Sequence, residues 1–184
     1  MIVCAGQSEQ FSFATPIGIG ITQAAINTTK LAIKNRPDAM LFIGTAGSYG
    51  GFKPFDLCCS QHSKIIEIGF LESKSYTPIQ LDVTSNLPHI VSRETFPFTC
   101  INSSHYITSE KTLNSDFIKH GCEVENMEFY GFLCAAKEQN IDAFGLFCIT
   151  NYCDSNAHKD FIANHNRAKE LLIESVNKHF EAFK

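Results

Sequence analysis

The apolar positions of the chain fall into short continuous runs separated by glycine turns, with a few stretches of helical period between them. Residues 1–5 form an apolar run that stops at Gly6, the pattern of a first strand entering a turn. Residues 11–21 alternate apolar and small side chains, read as a second strand, and close on Gly18 and Gly20. Apolar residues at helical spacing over 24–33 predict a helix that Asn35-Arg36-Pro37-Asp38 breaks. The buried run 39–43 follows, and Gly44-Thr45-Ala46-Gly47-Ser48 ends it. A strand-helix-strand unit with continuously apolar strands predicts a sheet covered on both faces, with ligands beyond the carboxyl ends of its strands.

The stretch 53–107 has short apolar runs, such as 64–70, and little helical period, so it reads as further strands with long loops. Over 126–139 the spacing of Met127, Phe129/Tyr130, Phe132/Leu133 and Ala136 predicts an amphipathic helix. A fully apolar strand, 143–149, ends in Thr150-Asn151-Tyr152. Residues 158–183 then read as one long helix with Phe161, Ala168, Leu171/Leu172, Ser175/Val176 and Phe180 on its inner face. Repeats, low-complexity stretches and linkers are absent, so residues 1–184 are expected to form one α/β domain.

Composition narrows the function classes. A net charge of −4 with scattered basic residues gives no electrostatic footprint for nucleic acid. Neither a leader-like start nor an apolar run of the roughly 20 residues that span a bilayer is present, so a soluble cytoplasmic protein without a membrane partner is expected. The eight cysteines show no pair separated by two residues, and several lie inside apolar runs such as Gly145-Leu146-Phe147-Cys148-Ile149. They read as small core side chains rather than disulfides or zinc ligands, and no metal site is expected.

Three features carry candidate chemistry, each with a plainer reading. The Gly18/Gly20 and Gly44/Gly47 turns let backbone N–H groups approach an anion, but lack the third glycine of a dinucleotide fingerprint and the lysine of a P-loop. Glu123, Glu125 and Glu128 cluster where the 126–139 helix should begin; acids are favourable at a helix N-terminus, and a buried carboxylate also suits the vicinal diol of a ribose, since it only accepts. Asn151 ends the last strand, where it would face a ligand or simply form a turn.

Taken in order, four stretches resemble the superfamily of purine nucleoside phosphorylases and methylthioadenosine/adenosylhomocysteine nucleosidases. They are Pro16-Ile17-Gly18-Ile19-Gly20-Ile21-Thr22-Gln23-Ala24-Ala25, the run 37–47 ending in Gly44-Thr45-Ala46-Gly47, Val124-Glu125-Asn126-Met127-Glu128, and Ile149-Thr150-Asn151. The resemblance implies a three-layer α/β/α fold around a mixed sheet and cleavage of the N-glycosidic bond of a purine nucleoside, in purine salvage, through a ribosyl cation-like transition state. It implies that Glu128 holds the ribose 2′- and 3′-hydroxyls, with Asn126 beside it and Met127 against the sugar. Thr45, Ala46 and Gly47 would line the path of the attacking water or phosphate, and Asn151 would face the purine edge. No cofactor is implied, inorganic phosphate is a candidate co-substrate, and a homo-oligomer is expected.

The sequence also departs from the family's pattern. Where the family usually carries Asp, Asn151 donates hydrogen bonds but no proton, which implies a preference for 6-oxopurines. Phe42 stands where hexameric phosphorylases place a phosphate-binding arginine, and Thr112 where an aromatic stacks on the base. Only about a dozen residues separate the Gly6 and Gly18 turns, so part of the nucleophile-side wall is absent or comes from a neighbour. Loss of the arginine favours water, with Glu9 as the activating base. A reading from another class is a catalytically weakened nucleoside-binding or oligomer-partner protein. The incomplete glycine pattern disfavours a dinucleotide-dependent oxidoreductase.

Overall fold

A computed structural model describes residues 1–184. In chain order the elements are β1 (Ile2–Cys4), β2 (Thr15–Pro16), α1 (Ile21–Asn35), β3 (Ala39–Ser48), β4 (Leu57–Ser60), β5 (His62–Lys64), α2 (Ile68–Leu71), β6 (Asp82–Thr84), β7 (Cys100–Asn102), α3 (Asn114–Lys119), β8 (Cys122–Glu125), α4 (Phe129–Glu138), β9 (Asp142–Tyr152) and α5 (Ala157–His179). The strands form one mixed nine-stranded sheet in the order β2-β1-β3-β8-β7-β5-β6, with β9 joined to β3 and β4 off that path.

Side-chain alternation along the two long strands divides the interior into layers. Met40, Phe42 and Ala46 of β3 and Ala143, Phe147 and Ile149 of β9 share one core with Ala24 and Ala32 of α1 and Phe129, Phe132, Leu133 and Ala136 of α4. Their neighbours Leu41, Ile43, Phe144, Leu146 and Cys148 point the other way and pack with Ala168, Leu172 and Val176 of α5. Two apolar faces on one sheet, each covered by helices, agree with the sheet covered on both faces that the continuous apolar strands predict, and give the three-layer α/β/α arrangement that the resemblance implies. All eight cysteines are unpaired and seven are buried, as expected of core side chains.

The topology places an opening in the sheet. Along one edge, β3 pairs with β9 over its whole length. Along the other, β1 pairs with Leu41–Ile43 and β8 takes over only at Gly47–Ser48. Between them the β3 edge at Gly44, Thr45 and Ala46 has no strand beside it, and its polar groups must find other partners.

Several boundaries differ from the sequence reading. The stretch 11–21 is mostly turns with only the two-residue β2, and α1 begins at Ile21, directly after Gly20, running on to Asn35. Residues 64–70 are divided between the end of β5 and the short α2. The helix expected over 126–139 starts only at Phe129, because the Asn126 side-chain oxygen accepts the backbone N–H groups of Glu128 and Phe129, both at 3.0 Å. That side-chain cap ends the strand and launches the helix, a role favoured for Asn. The last helix stops at His179, with a separate 3₁₀ turn at Glu181–Phe183. No helix is long and apolar enough to cross a membrane.

Candidate active site

The gap along β3 is the closed end of a cavity of about 320 Å³. A second irregularity completes its floor. The β3–β9 register shifts between Ala46 and Gly47, which pair with Ile149 and Asn151, so Thr150 is the extra residue of a bulge. Successive strand residues normally face opposite ways, but a bulge re-aims them, and both Thr150 and Asn151 line the cavity. Gly47 lies beneath: a Cβ there would stand 2.9 Å from Cys153 Sγ, 3.1 Å from Asn151 Nδ2 and 3.4 Å from Glu125 Cγ. Only a residue without a side chain leaves this floor open.

The free polar groups of Thr45 are met by Glu9 and Asn126. The Thr45 backbone N–H, 3.3 Å from both carboxylate oxygens of Glu9, and its hydroxyl donate to that carboxylate. Asn126 Nδ2 donates to the Thr45 carbonyl at 3.1 Å. Glu9 is carried on a turn from β1 that is closed by a bridge between Gly6 and Glu9. Burial pushes its pKa above the usual carboxylate value, and the Thr45 hydrogen bonds oppose that rise.

Glu128 enters the cavity from the start of α4. It is 4% exposed, and its carboxylate accepts the backbone N–H of Gly20 at 2.9 Å. Gly20 presents that N–H from a left-handed conformation, φ +84°, which explains glycine at this position. With few donors to offset desolvation, and Glu9 adding negative charge nearby, the Glu128 pKa is pushed up to about 7. A third carboxylate, Glu125, closes the base of the cavity, where it accepts from Tyr49 Oη at 2.9 Å and from the Thr108 backbone N–H at 3.0 Å. Burial raises its pKa also.

The mouth is apolar. Ile19, Tyr106 and Ile107 line it while remaining 42, 76 and 57% exposed, and half-buried Phe161 of α5 continues the wall. The cavity lining contains no lysine or arginine, and its one histidine is His158. Among the chain's His, Cys, Asp and Glu side chains, no group of three or more is arranged to hold a metal ion.

The fold thus brings Glu9, Thr45, Ala46, Gly47, Asn126, Met127, Glu128 and Asn151 into one cavity, although they span most of the chain. Within it, the Asn126 side chain is taken up by Thr45 and by the cap of α4, so it shapes the corner rather than reaching into the space. Asn151 Nδ2 donates to the Tyr152 carbonyl at 2.9 Å and its Oδ1 accepts from Thr150 at 2.8 Å, leaving one N–H and one lone pair for a ligand.

Phe42 is fully buried among Phe129, Phe132 and Phe147, with ring centroids 5.7–6.0 Å apart, so that position belongs to the core under α4. Thr112 is exposed on a 3₁₀ turn outside the cavity. The aromatic side chains of the wall are Tyr106, which the sequence does not single out, and Phe161, which the sequence marks only as an inner-face residue of the last helix. Glu125 was grouped with helix-terminal acids, yet it and Glu123 lie on β8, and only Glu125 faces the cavity.

The description of a phosphorylase superfamily matches residues 2–180. Solved structures share the fold at low identity. A futalosine hydrolase mutant from Helicobacter pylori aligns at 12% identity with TM-score 0.80, over 98% of this chain and 97% of that one. The 5′-methylthioadenosine/S-adenosylhomocysteine nucleosidase of Helicobacter pylori aligns at 13% identity and TM-score 0.78, over 92% of this chain and 79% of that one. Its Streptococcus pneumoniae counterpart, bound to a transition-state inhibitor, aligns at 14% identity and TM-score 0.76, over 95% of both chains. No curated protein matches by sequence. The chain belongs to the phosphorylase superfamily.

Proposed function

We propose that this phosphorylase-superfamily member is a nucleosidase that hydrolyses the N-glycosidic bond of a purine nucleoside, with 6-oxopurines preferred. The observation that carries the reading is the charge of the cavity: three buried carboxylates and no lysine or arginine. Such a lining favours a positively charged ribosyl transition state and disfavours a phosphate anion, so water is the nucleophile.

Each group then has a task. Ionised Glu128 accepts hydrogen bonds from the ribose 2′- and 3′-hydroxyls, while Met127 packs against the sugar. Glu9, beside the free edge of Thr45, takes the proton of the attacking water. The remaining N–H of Asn151 is shared between N7 and O6 of the leaving base, two acceptors that a 6-oxopurine presents side by side. The exposed Ile19, Tyr106 and Ile107 favour association with a second copy of the chain over the mouth.

The test is to incubate the protein with inosine, guanosine, adenosine, 5′-methylthioadenosine, S-adenosylhomocysteine and futalosine, with and without phosphate, and to follow free base and sugar. Phosphate-independent release of base and reducing sugar is expected, fastest from the 6-oxopurine substrates. Release that requires phosphate and yields a sugar phosphate overturns the hydrolytic reading; equal or faster cleavage of adenosine overturns the base preference. Because Asn151 lacks an acid's proton, tight binding without any release would instead establish a nucleoside-binding protein.

A further inference from the structure

We propose that His165 and Lys169, on the face of α5 turned toward the β1 turn, are positioning residues for Glu9. The proposal rests on the reading of Glu9 as the water-activating base. Glu9 is the last residue of a short turn, and α5 holds that turn at one atom, the Ser8 carbonyl oxygen. His165 Nε2 lies 3.0 Å from this oxygen and Lys169 Nζ donates to it at 2.9 Å. The two donors are four residues apart and so lie one above the other on the helix. One turn earlier on the same face, Phe161 packs its ring 4.9 Å from that of His165 and lines the cavity.

The chemistry of the contact separates positioning from packing. A carbonyl only accepts, so His165 Nε2 carries the hydrogen. The other ring nitrogen, Nδ1, is buried without a partner, although His165 is only 8% exposed. An apolar ring would fill the same space with no orphaned nitrogen, so packing alone does not account for a histidine here. What it adds is the N–H that fixes Ser8, and through the backbone the next residue, Glu9.

Lys169 adds a charge. Glu9 faces Glu128 from the α4 side, Cys4 from β1, and His165 and Lys169 from α5, with His158 on the same cavity wall. His165 opposes the rise that burial imposes on Glu9, and the Lys169 charge adds in the same direction. A base must be ionised to accept a proton, so this charge extends activity toward lower pH.

The experiment uses the fastest-cleaved nucleoside and measures kcat, KM, thermal midpoint and the pH profile of kcat, which reports the substrate complex, where Glu128 is tied to ribose. His165→Phe is expected to lower kcat about tenfold or more at nearly unchanged KM, because small misplacements of a catalytic group cost that much, and His165→Gln to restore most of the loss. Lys169→Met is expected to move the acid limb upward by about 0.5 pH unit, with Lys169→Arg restoring it. Wild-type kcat in His165→Phe together with an unmoved limb in Lys169→Met, whatever the thermal midpoint, overturns the proposal. So does a His165→Gln variant no better than His165→Phe. Should His165→Phe not fold, His165→Gln and the limb of Lys169→Met decide. Glu9→Gln separates the levels: full activity there removes the premise, whereas loss of activity there with intact His165 and Lys169 variants overturns the positioning role alone.

Discussion

At its closed end the cavity is bounded by Thr45, Ala46, Thr150 and Asn151, none more than 6% exposed, while Ile19, Ile107 and Tyr106 at its mouth are 42–76% exposed. The closed end is held by the hydrogen bonds of β3 and β9 and by the Glu9 and Asn126 side chains that complete the free edge of β3. Groups fixed in this way meet a reacting bond with no ordering cost. The mouth is apolar surface with little packed against it. On the proposed function the difference divides the labour: chemistry belongs to the floor, and selection of what the nucleoside carries beyond the reacting bond belongs to the mouth.

The strongest way to break this division is Glu128→Gln. The amide keeps the shape but loses the charge that, on the proposed function, holds the ribose diol, and kcat/KM is expected to fall about a thousandfold or more. The same substitution should stabilise the fold at alkaline pH. Burial raises the Glu128 pKa from 4.5 to about 7, so the folded state binds this proton more tightly than the unfolded chain. The stability gained from that proton is present below pH 4.5 and lost as pH rises to about 7, about 3 kcal/mol in all. Denaturant midpoints above pH 7 should therefore be higher for Glu128→Gln, and wild-type kcat/KM should rise through about pH 7. A variant that stays active, or is destabilised at every pH, removes Glu128 from the floor.

Gly47→Ala asks whether the floor needs its open space. The added Cβ would stand 2.9 Å from Cys153 Sγ and 3.1 Å from Asn151 Nδ2. Relief requires a shift of Asn151 or of the β9 bulge. Steady-state kinetics should show kcat/KM lowered about 10- to 100-fold, and calorimetry a stability loss of about 1–3 kcal/mol. Unchanged kinetics alongside the stability loss would show that the floor tolerates displacement, and the comparison with the mouth would lose its basis.

The two regions also differ in how far sequence reveals them. Apolar runs such as 39–43 and 143–149 stop at small or polar residues, which marks Thr45, Ala46, Gly47 and Asn151 in the sequence, yet β3 continues through them to Ser48 and β9 to Tyr152, so the turn expected at 44–48 is strand. The continuous apolar runs made a sheet covered on both faces legible, and the resemblance supplied the three-layer architecture. The Glu128 corner was legible as a motif, but not in its local structure. Asn126 looks like the first turn of a helix until its side chain is seen capping Phe129. Glu125 was hidden by the same three-residue error, since a strand acid resembles a helix-terminal one in sequence. Tyr106 and Ile107 of the mouth come from the loop between β7 and α3, where no periodicity distinguishes Tyr106 from any exposed tyrosine. His165 escaped notice because its partner Ser8 lies 157 residues away.

Tyr106→Ala is the finest probe. Its ring is 76% exposed and lines the mouth, and only its backbone N–H is tied down, to Ser104 Oγ at 3.0 Å. Truncation should leave the thermal midpoint of the single chain, measured at a concentration below that of association, within the small range typical of surface changes. On the proposed function a bound nucleoside covers the ring, and the apolar area it would bury is worth about 1 kcal/mol, so KM should rise about fivefold with kcat unchanged. That pattern marks binding shared equally by ground and transition states, as the mouth should provide. If kcat falls instead while KM holds, Tyr106 acts on the reacting bond, and the boundary between floor and mouth must be redrawn to include the loop between β7 and α3.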